Sequence, residues 1–228
     1  MKPSEIVKDI YIVGGPDITD GRDACVYLFN FGELILIDTG AGWSVDNIIG
    51  NIKKLGLDPK NLSKIILTHC HIDHIGGVPE IRKRFFGSKV YIHELDATPL
   101  ETGYPVLTAA SWYQTHFPPT PVDVKFRLPE ESLTIADQKI VCLPTPGHTP
   151  GSISIYLDKD GKRILFGQDL HGPLLAEFGS NIEDYSNSTK KLLDLEADIL
   201  CEGHFGIYKT KKEVKNYILF YRSQYGVE

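Results

Sequence analysis

Cysteine is scarce in this sequence and never occurs in the paired spacing of a thiolate metal site. The four residues are Cys25, Cys70, Cys142 and Cys201, with no Cys-x-x-Cys among them. A disulfide framework and a cysteine-rich structural zinc site are therefore disfavoured, and we expect reduced, buried thiols. Cys70 is flanked by two histidines, and in a strand-to-helix loop its side chain should point away from a metal and pack inward.

The sequence also lacks an apolar run of bilayer length, and its start lacks the apolar stretch of a signal peptide. These absences argue against a membrane partner and against export, so we expect a cytoplasmic protein. No Ser/Gly/Pro-rich linker or block of charge divides the chain. We therefore expect a single domain over residues 1–228.

Positive charge is not in surplus. The chain has 24 basic and 30 acidic residues, which gives a formal net charge of −6. Nucleic-acid-binding proteins usually carry a basic surplus or a concentrated basic face, so this balance argues against a nucleic-acid partner. A small-molecule substrate is the expected partner, and a homo-oligomer stays open.

What the sequence does contain is a dense cluster of potential metal ligands, the run HCHIDH at residues 69–74, here called the histidine loop. Neutral imidazole is the commonest protein ligand for zinc, and together with carboxylate it suits Zn(II), Fe(II) or Mn(II). Alternate residues of an extended segment point to the same side, so His69 and His71 can share one ion. Asp73 and His74, at the entry to a helix, turn toward another.

Three further candidate ligands follow strand-like runs, each in a turn that contains glycine. They are His148 within TPGHTPG, Asp169 within FGQD, and His204 within CEGH. A lone histidine or aspartate in such a turn is more often an ordinary surface or core residue. With the histidine loop in the same chain, we interpret all three as metal ligands.

These motifs together resemble the pattern of the metallo-β-lactamase superfamily, over about residues 9–208. The resemblance implies an α/β protein, a four-layer αβ/βα sandwich of two mixed β-sheets with helices on the outer faces. It also implies two divalent metal ions, with Zn(II) as the first choice and Fe or Mn as alternatives. In that arrangement the first ion is held by His69, His71 and His148, the second by Asp73, His74 and His204, and both by a bridging Asp169.

The hydrophobic pattern predicts strands and helices in alternation, which favours an α/β layer arrangement. Predicted strands cover residues 10–13, 24–30, 33–38, 65–67, 89–92, 124–128, 133–136, 139–143, 152–157, 163–166 and 199–201. Predicted helices cover residues 45–55, 78–85, 182–195 and 211–225. Residues 94–122, rich in Pro, Thr and aromatics, are predicted to form a partly helical insertion that caps the substrate.

The ligand set predicts a hydrolase. Two divalent ions close together can trap one water molecule and lower its pKa toward neutrality, which supplies a bridging hydroxide at pH 7. Asp73 is the candidate catalytic residue, because it could orient this nucleophile and accept its proton. The leading prediction is hydrolysis of a small ester, thioester or lactone, as in the branch of the superfamily that contains glyoxalase II and many lactonases.

Other activities stay open at this point. A mononuclear-iron persulfide dioxygenase resembles the same fold and motif but uses one iron at the three-histidine site. A phosphodiesterase of the ribonuclease Z type is less favoured because of the acidic balance, and a β-lactamase because no export signal is visible. Metal content distinguishes the first alternative, since hydrolysis predicts two ions of zinc or a similar metal.

Further residues are candidates for support or for contact with substrate. Asp38, in an Asp-Thr-Gly turn, is expected to anchor the histidine loop. His171, two residues after Asp169, could line the substrate pocket. Three aromatic residues of the insertion are expected mainly to pack together, although one of them could touch the substrate: Tyr104, Trp112 and Tyr113. His116 is expected to be structural, although it could face the site.

Overall fold

The computed structural model describes residues 2–227. The chain divides into two compact units, Met1–Phe126 and Arg127–Glu228, and each unit contains one β-sheet. Whether the two units fold as the single domain expected from the sequence stays a prediction. Among the described residues, no helix combines the length and the apolar character needed to cross a bilayer.

The first unit is built on a sheet of seven strands in sequence order. The strands are β1 (Ser4–Val7), β2 (Ile10–Gly14), β3 (Val26–Asn30), β4 (Leu34–Ile37), β5 (Leu62–Ile66), β6 (Lys89–His93) and β7 (Val124–Phe126). Neighbours from β1 to β4 are antiparallel, and neighbours from β4 to β7 are parallel, so the sheet is mixed.

Helices supply the crossovers that parallel strands require. They are α1 (Val45–Lys54), α2 (Ile72–Ile75), α3 (Val78–Arg84) and α4 (Glu94–Thr102), with a 3₁₀ turn at Pro59–Asn61. The apolar residues of α1 recur on one face, and Ile48 and Ile52 of that face are buried in the core of the unit. This face fixes how α1 covers the sheet, because a helix with a single apolar stripe is stable only with that stripe buried.

The second unit contains six strands in the order β13, β12, β11, β10, β9, β8. They are β8 (Glu131–Ile135), β9 (Gln138–Pro144), β10 (Ile153–Lys159), β11 (Lys162–Gly167), β12 (Ile199–Glu202) and β13 (Ile207–Tyr208). Among the described strands of this unit, neighbours are antiparallel except for β11 and β12, which pair in parallel. Helix α5 (Ile182–Asp194) connects these two strands, and α6 (Lys211–Gln224) follows β13.

The strand directions of the second unit bring three chain turns to one edge of its sheet. Strands β9 and β11 are both antiparallel to β10, and β12 is parallel to β11, so β9, β11 and β12 run the same way. His148, Asp169 and His204 each follow the carboxyl end of one of these strands by two to four residues. The topology alone therefore places all three turns on the same edge.

The predicted strands and helices are confirmed to within a few residues at their ends. Among the described strands and α-helices, the short elements β1, α2 and β13 were not predicted. Each has five residues or fewer, which is too short for a periodic pattern to stand out. In the insertion, α4 confirms the partly helical prediction, and the chain after it runs mainly in turns.

Candidate metal site

The histidine loop follows β5 and is buried in the first unit. His69, His71, Asp73 and His74 are no more than 7% exposed. The ring of His69 lies 4.7 Å from that of His71 and 4.1 Å from that of His74, measured between centroids. Protonated imidazoles this close would repel one another, so the arrangement favours neutral rings, the form that binds a divalent metal.

Asp38 anchors the loop at two points. Its Oδ1 accepts a hydrogen bond from the backbone N–H of Thr68 at 2.8 Å. Its Oδ2 accepts from the Thr68 hydroxyl at 2.7 Å and lies 2.7 Å from Nδ1 of His74. A carboxylate that accepts a hydrogen bond from Nδ1–H leaves the Nε2 lone pair of a neutral His ring available to a metal, and it fixes the orientation of the ring.

Two glycines let the turn after β4 approach the end of the histidine loop. A Cβ on Gly76 would lie 2.2 Å from the carbonyl oxygen of Ala41, and one on Gly77 would lie 2.4 Å from that of Thr39. The Thr39 N–H also donates to the carbonyl oxygen of His74 at 2.7 Å. Backbone therefore packs directly on backbone here, which no other residue type would permit.

Two further buried carboxylates support this region, and the sequence analysis did not find them. Asp23 accepts hydrogen bonds from the N–H of Ala41 at 2.9 Å and from the hydroxyl of Thr19 at 2.5 Å, and burial raises its pKa. Asp96 accepts from the N–H of Cys70 at 3.0 Å. A signal was available for Asp23 in the sequence, since it directly precedes a long apolar strand, but not for Asp96 in its helix.

The four cysteines are buried, as expected. Cys70 belongs to the hydrophobic core of the first unit, and its Sγ lies 3.2 Å from the carbonyl oxygen of Leu107. Burial raises the pKa of this thiol well above its ordinary value, which keeps it neutral. The prediction that Cys70 is a packing residue is confirmed.

The second unit has its own cluster of candidate ligands, with Asp169 at its centre. Oδ2 of Asp169 lies 3.4 Å from Nε2 of His148, and Oδ1 lies 3.2 Å from Nε2 of His204. Nδ1 of His148 is 2.8 Å from the carbonyl oxygen of Pro173, which can only accept a hydrogen bond. His148 therefore donates a hydrogen bond from Nδ1, and its Nε2 faces the Asp169 carboxylate.

Gly203 allows the turn after β12 to reach Asp169. A Cβ at this position would lie 2.5 Å from Oδ1 of Asp169 and 2.8 Å from Oε1 of Gln168. The Gly203→Ala substitution should therefore displace the Asp169 carboxylate and weaken metal binding by about 10- to 100-fold, while the fold is kept. Metal titration measures the affinity, and circular dichroism shows whether the fold is kept.

Gly21→Ala is the matched control, because no atom lies within 4 Å of a Cβ there and neither glycine needs a left-handed φ. Equal metal affinity for Gly203→Ala and Gly21→Ala would show that the close approach to Asp169 has no role in binding.

Glu202, also not found from the sequence, organises the turn that carries His204. This fully buried carboxylate accepts hydrogen bonds from the N–H groups of His204 at 2.6 Å and of Phe205 at 2.9 Å. Its Oε1 lies 2.9 Å from Nδ1 of His171. Burial by itself would raise the pKa of Glu202, but the hydrogen bond from His171 holds it below the ordinary value. The available signal was an acidic residue at the end of a buried strand.

The remaining candidates lie in the insertion, and two of them do not pack as expected. Tyr104 is 51% and Trp112 is 53% exposed, so the expectation that they form part of a small core is wrong. Phe117 fills the buried position instead. Tyr113 packs partly against the core and stacks on Trp43 with ring centroids 6.3 Å apart, and His116 is exposed.

The donor chemistry of each cluster fits a divalent transition metal. The first unit offers buried imidazoles and the Asp73 carboxylate. The second offers the imidazoles of His148 and His204 beside the Asp169 carboxylate. Such nitrogen-rich sets with carboxylate oxygen suit zinc, iron or manganese, whereas calcium and magnesium prefer oxygen donors alone.

Comparison with known proteins agrees with this geometry. A family model described as "Metallo-beta-lactamase superfamily" matches residues 19–204. The probable metallo-hydrolase YflN of Bacillus subtilis is 32% identical over 214 residues, which cover 81% of this chain and 79% of YflN.

Two solved structures have the same fold. BJP-1, a subclass B3 metallo-β-lactamase of Bradyrhizobium japonicum, is 26% identical with a TM-score of 0.84, over 99% of this chain and 92% of that one. LRA-12, a class B3 di-zinc metallo-β-lactamase from an Alaskan soil metagenome, is 25% identical with a TM-score of 0.83, over 99% and 93%. The two mixed sheets with their helices therefore confirm the predicted fold class.

Proposed function

Because this chain belongs to the metallo-β-lactamase superfamily, we propose that it is a binuclear metal-dependent hydrolase of a small ester, thioester or lactone. The observation that carries the proposal is the buried cluster of imidazole rings in the histidine loop, with the His74 ring oriented by Asp38. The second unit supports it with two imidazoles directed at one carboxylate, that of Asp169. Clusters of this kind are costly to bury unless they bind a cation.

We assign the metal ligands as the family pattern suggests. One ion is held by His69, His71 and His148, a second by Asp73, His74 and His204, and Asp169 is shared between them. Zn(II) is the proposed metal, with Fe or Mn as alternatives, and the di-zinc description of LRA-12 supports two zinc ions. When bound, such ions lower the pKa of a water ligand toward neutrality and polarise a substrate carbonyl.

The chain's own residues then have distinct roles. Asp73, 7% exposed, is the candidate to orient the attacking water and accept its proton. Asp38 orients the His74 ring, and Glu202 accepts hydrogen bonds from the backbone N–H groups of His204 and Phe205. The ester, thioester or lactone class is favoured by the Gly-His-Thr-Pro-Gly motif around His148. A cytoplasmic location stays a prediction.

Elemental analysis of protein purified without added metal is the first test. We expect about two equivalents of zinc or a similar ion per chain. In a panel of lactones, thioesters and phosphodiesters, we expect hydrolysis of at least one lactone or thioester, whereas hydrolysis of phosphodiesters alone would favour the ribonuclease Z-type alternative. Removal of the metal with a chelator should abolish turnover and lower the unfolding temperature, because ions that bind only the folded state stabilise it.

The same preparation separates the alternatives. One equivalent of iron with thiol-dependent oxygen uptake and no hydrolysis would identify a persulfide dioxygenase instead. Turnover of a β-lactam assayed beside this panel, with no turnover of any panel member, would place the chain with the β-lactamases that it resembles in fold. Protein without bound metal that shows no gain in unfolding temperature on addition of zinc would refute the proposal.

A further inference from the structure

His171 lies at the rim of the ligand cluster in the second unit. Its ring is 5.0 Å from the ring of His204 between centroids, and its side chain is 17% exposed, whereas Glu202 beside it is fully buried. Nitrogen and oxygen atoms of Asp169, His171 and Glu202 lie within 4.8 Å of one another. His171 is therefore the partly exposed member of this group, beside the buried carboxylates of Asp169 and Glu202.

Glu202 fixes which ring nitrogen of His171 carries a proton. Oε2 of Glu202 is engaged by the backbone N–H groups of His204 and Phe205, at 2.6 and 2.9 Å. Oε1 faces Nδ1 of His171 at 2.9 Å. Since a carboxylate only accepts hydrogen bonds, Nδ1 is the donor, and Nε2 of the neutral ring is an acceptor.

His171 is restrained both at its backbone and at its ring. The Tyr225 hydroxyl donates to the backbone carbonyl of His171 at 2.8 Å. The ring of Phe205 packs edge-on against the His171 ring, with centroids 4.8 Å apart at 83°. Among residues 2–227, the ring makes one hydrogen bond, through Nδ1, so the acceptor at Nε2 is available to a ligand.

We propose that Nε2 of His171 accepts a hydrogen bond from the substrate, which rests on the proposed hydrolase function and narrows its substrate class. The favoured substrates carry a hydroxyl or amide N–H donor near the scissile carbonyl, as in hydroxyacyl or acylamino esters and thioesters. Plain alkanoyl compounds, which have no donor, leave this acceptor without its partner. His171 is thus a specificity-determining residue.

The test uses three thioesters of N-acetylcysteamine: butanoyl, 2-hydroxybutanoyl and 3-hydroxybutanoyl. The metal-loaded wild-type protein should prefer at least one hydroxy compound over butanoyl in kcat/KM by about tenfold, the factor that one ordinary hydrogen bond contributes. In His171→Asn the amide nitrogen can still donate to Glu202, but no atom replaces Nε2, so the preference should fall about tenfold relative to wild type.

His171→Gln is the complementary variant, because its amide oxygen can reach the position of Nε2 and accept a hydrogen bond. It should retain part of the preference that His171→Asn loses. His93→Asn is a matched control in the other unit, where the ring caps α4 and asparagine can act as the cap. The ratio of the kcat/KM values of two substrates, measured on the same protein, does not depend on differences in folding or in metal loading between variants.

Each outcome has a distinct meaning. An equal preference in wild type and His171→Asn overturns the inference and leaves the hydrolase function intact. Loss of a metal ion from His171→Asn, measured by elemental analysis, makes His171 a ligand and also overturns it. If metal-loaded wild type hydrolyses none of the three thioesters nor any other member of the panel, the proposed function fails and the inference with it.

Discussion

Replacing Asp38 by Ala is expected to destabilise the metal-free protein by about 3 kcal/mol and to weaken metal binding by about 10- to 100-fold. The carboxylate is fully buried. It accepts hydrogen bonds from the Thr68 N–H and the Thr68 hydroxyl, and it contacts Nδ1 of His74. Its removal leaves these buried polar groups without their acceptor and frees the His74 ring to rotate. Urea unfolding of metal-free protein and zinc titration measure the two effects separately.

Two variants control this experiment. Asp46→Ala removes a carboxylate whose side chain is 83% exposed, and it should change stability by no more than about 0.5 kcal/mol. Asp38→Asn keeps one acceptor and tolerates the left-handed φ of 60°, so it should be milder than Asp38→Ala. Unchanged zinc affinity in Asp38→Ala would mean that the His74 ring keeps its orientation without this carboxylate.

Replacing Asp169 by Ala is expected to reduce turnover on the order of 10³-fold or more while the fold survives. The carboxylate lies 3.4 Å from Nε2 of His148 and 3.2 Å from Nε2 of His204, and in the proposed site it is shared by both ions. Without it, the two imidazoles lose the negative charge that favours a cation beside them. Elemental analysis should show fewer ions per chain, with the far-ultraviolet circular dichroism spectrum unchanged.

Asp169 also has a left-handed φ of 52°, which alanine adopts less readily than aspartate. Asp160, in the exposed turn between β10 and β11, has a φ of 51°, so Asp160→Ala isolates the backbone effect. It should lower stability slightly and leave metal content and turnover unchanged. His71→Ala tests the first unit in the same way. Full turnover in Asp169→Ala or His71→Ala would remove that residue from the ligand set.

Most of the secondary structure could be predicted because its elements are long enough to show a period. The apolar spacing of α1 and the continuous apolar run of β4 reflect burial on one face and on both faces, respectively. Short elements such as α2 and β13 are too short to show a periodic pattern of apolar residues in the sequence. Their geometry depends on contacts with distant segments of the same chain. An example is the hydrogen bond from the Ile72 N–H to the carbonyl oxygen of Thr108.

The candidate ligands could be found because metal chemistry restricts residue type. Few side chains bind zinc, and three imidazoles and a carboxylate within six residues make a conspicuous motif in the histidine loop. The carboxylates that hold this machinery had no comparable signal. Asp96 is an ordinary acidic residue in the sequence, and Glu202 is marked only by its place at the end of a buried strand. The importance of both lies in burial next to backbone N–H groups.

From the amino-acid order one can read the fold class, the run of strands and helices, and the residue types able to bind a divalent ion, because periodicity and donor chemistry are local properties. Packing settled different matters: which imidazole nitrogen faces which oxygen, that Tyr104 and Trp112 are exposed, and that Glu202 contacts the His171 ring. Those facts depend on contacts between residues far apart in the chain, as with Asp38 and His74, whose distance no local pattern encodes.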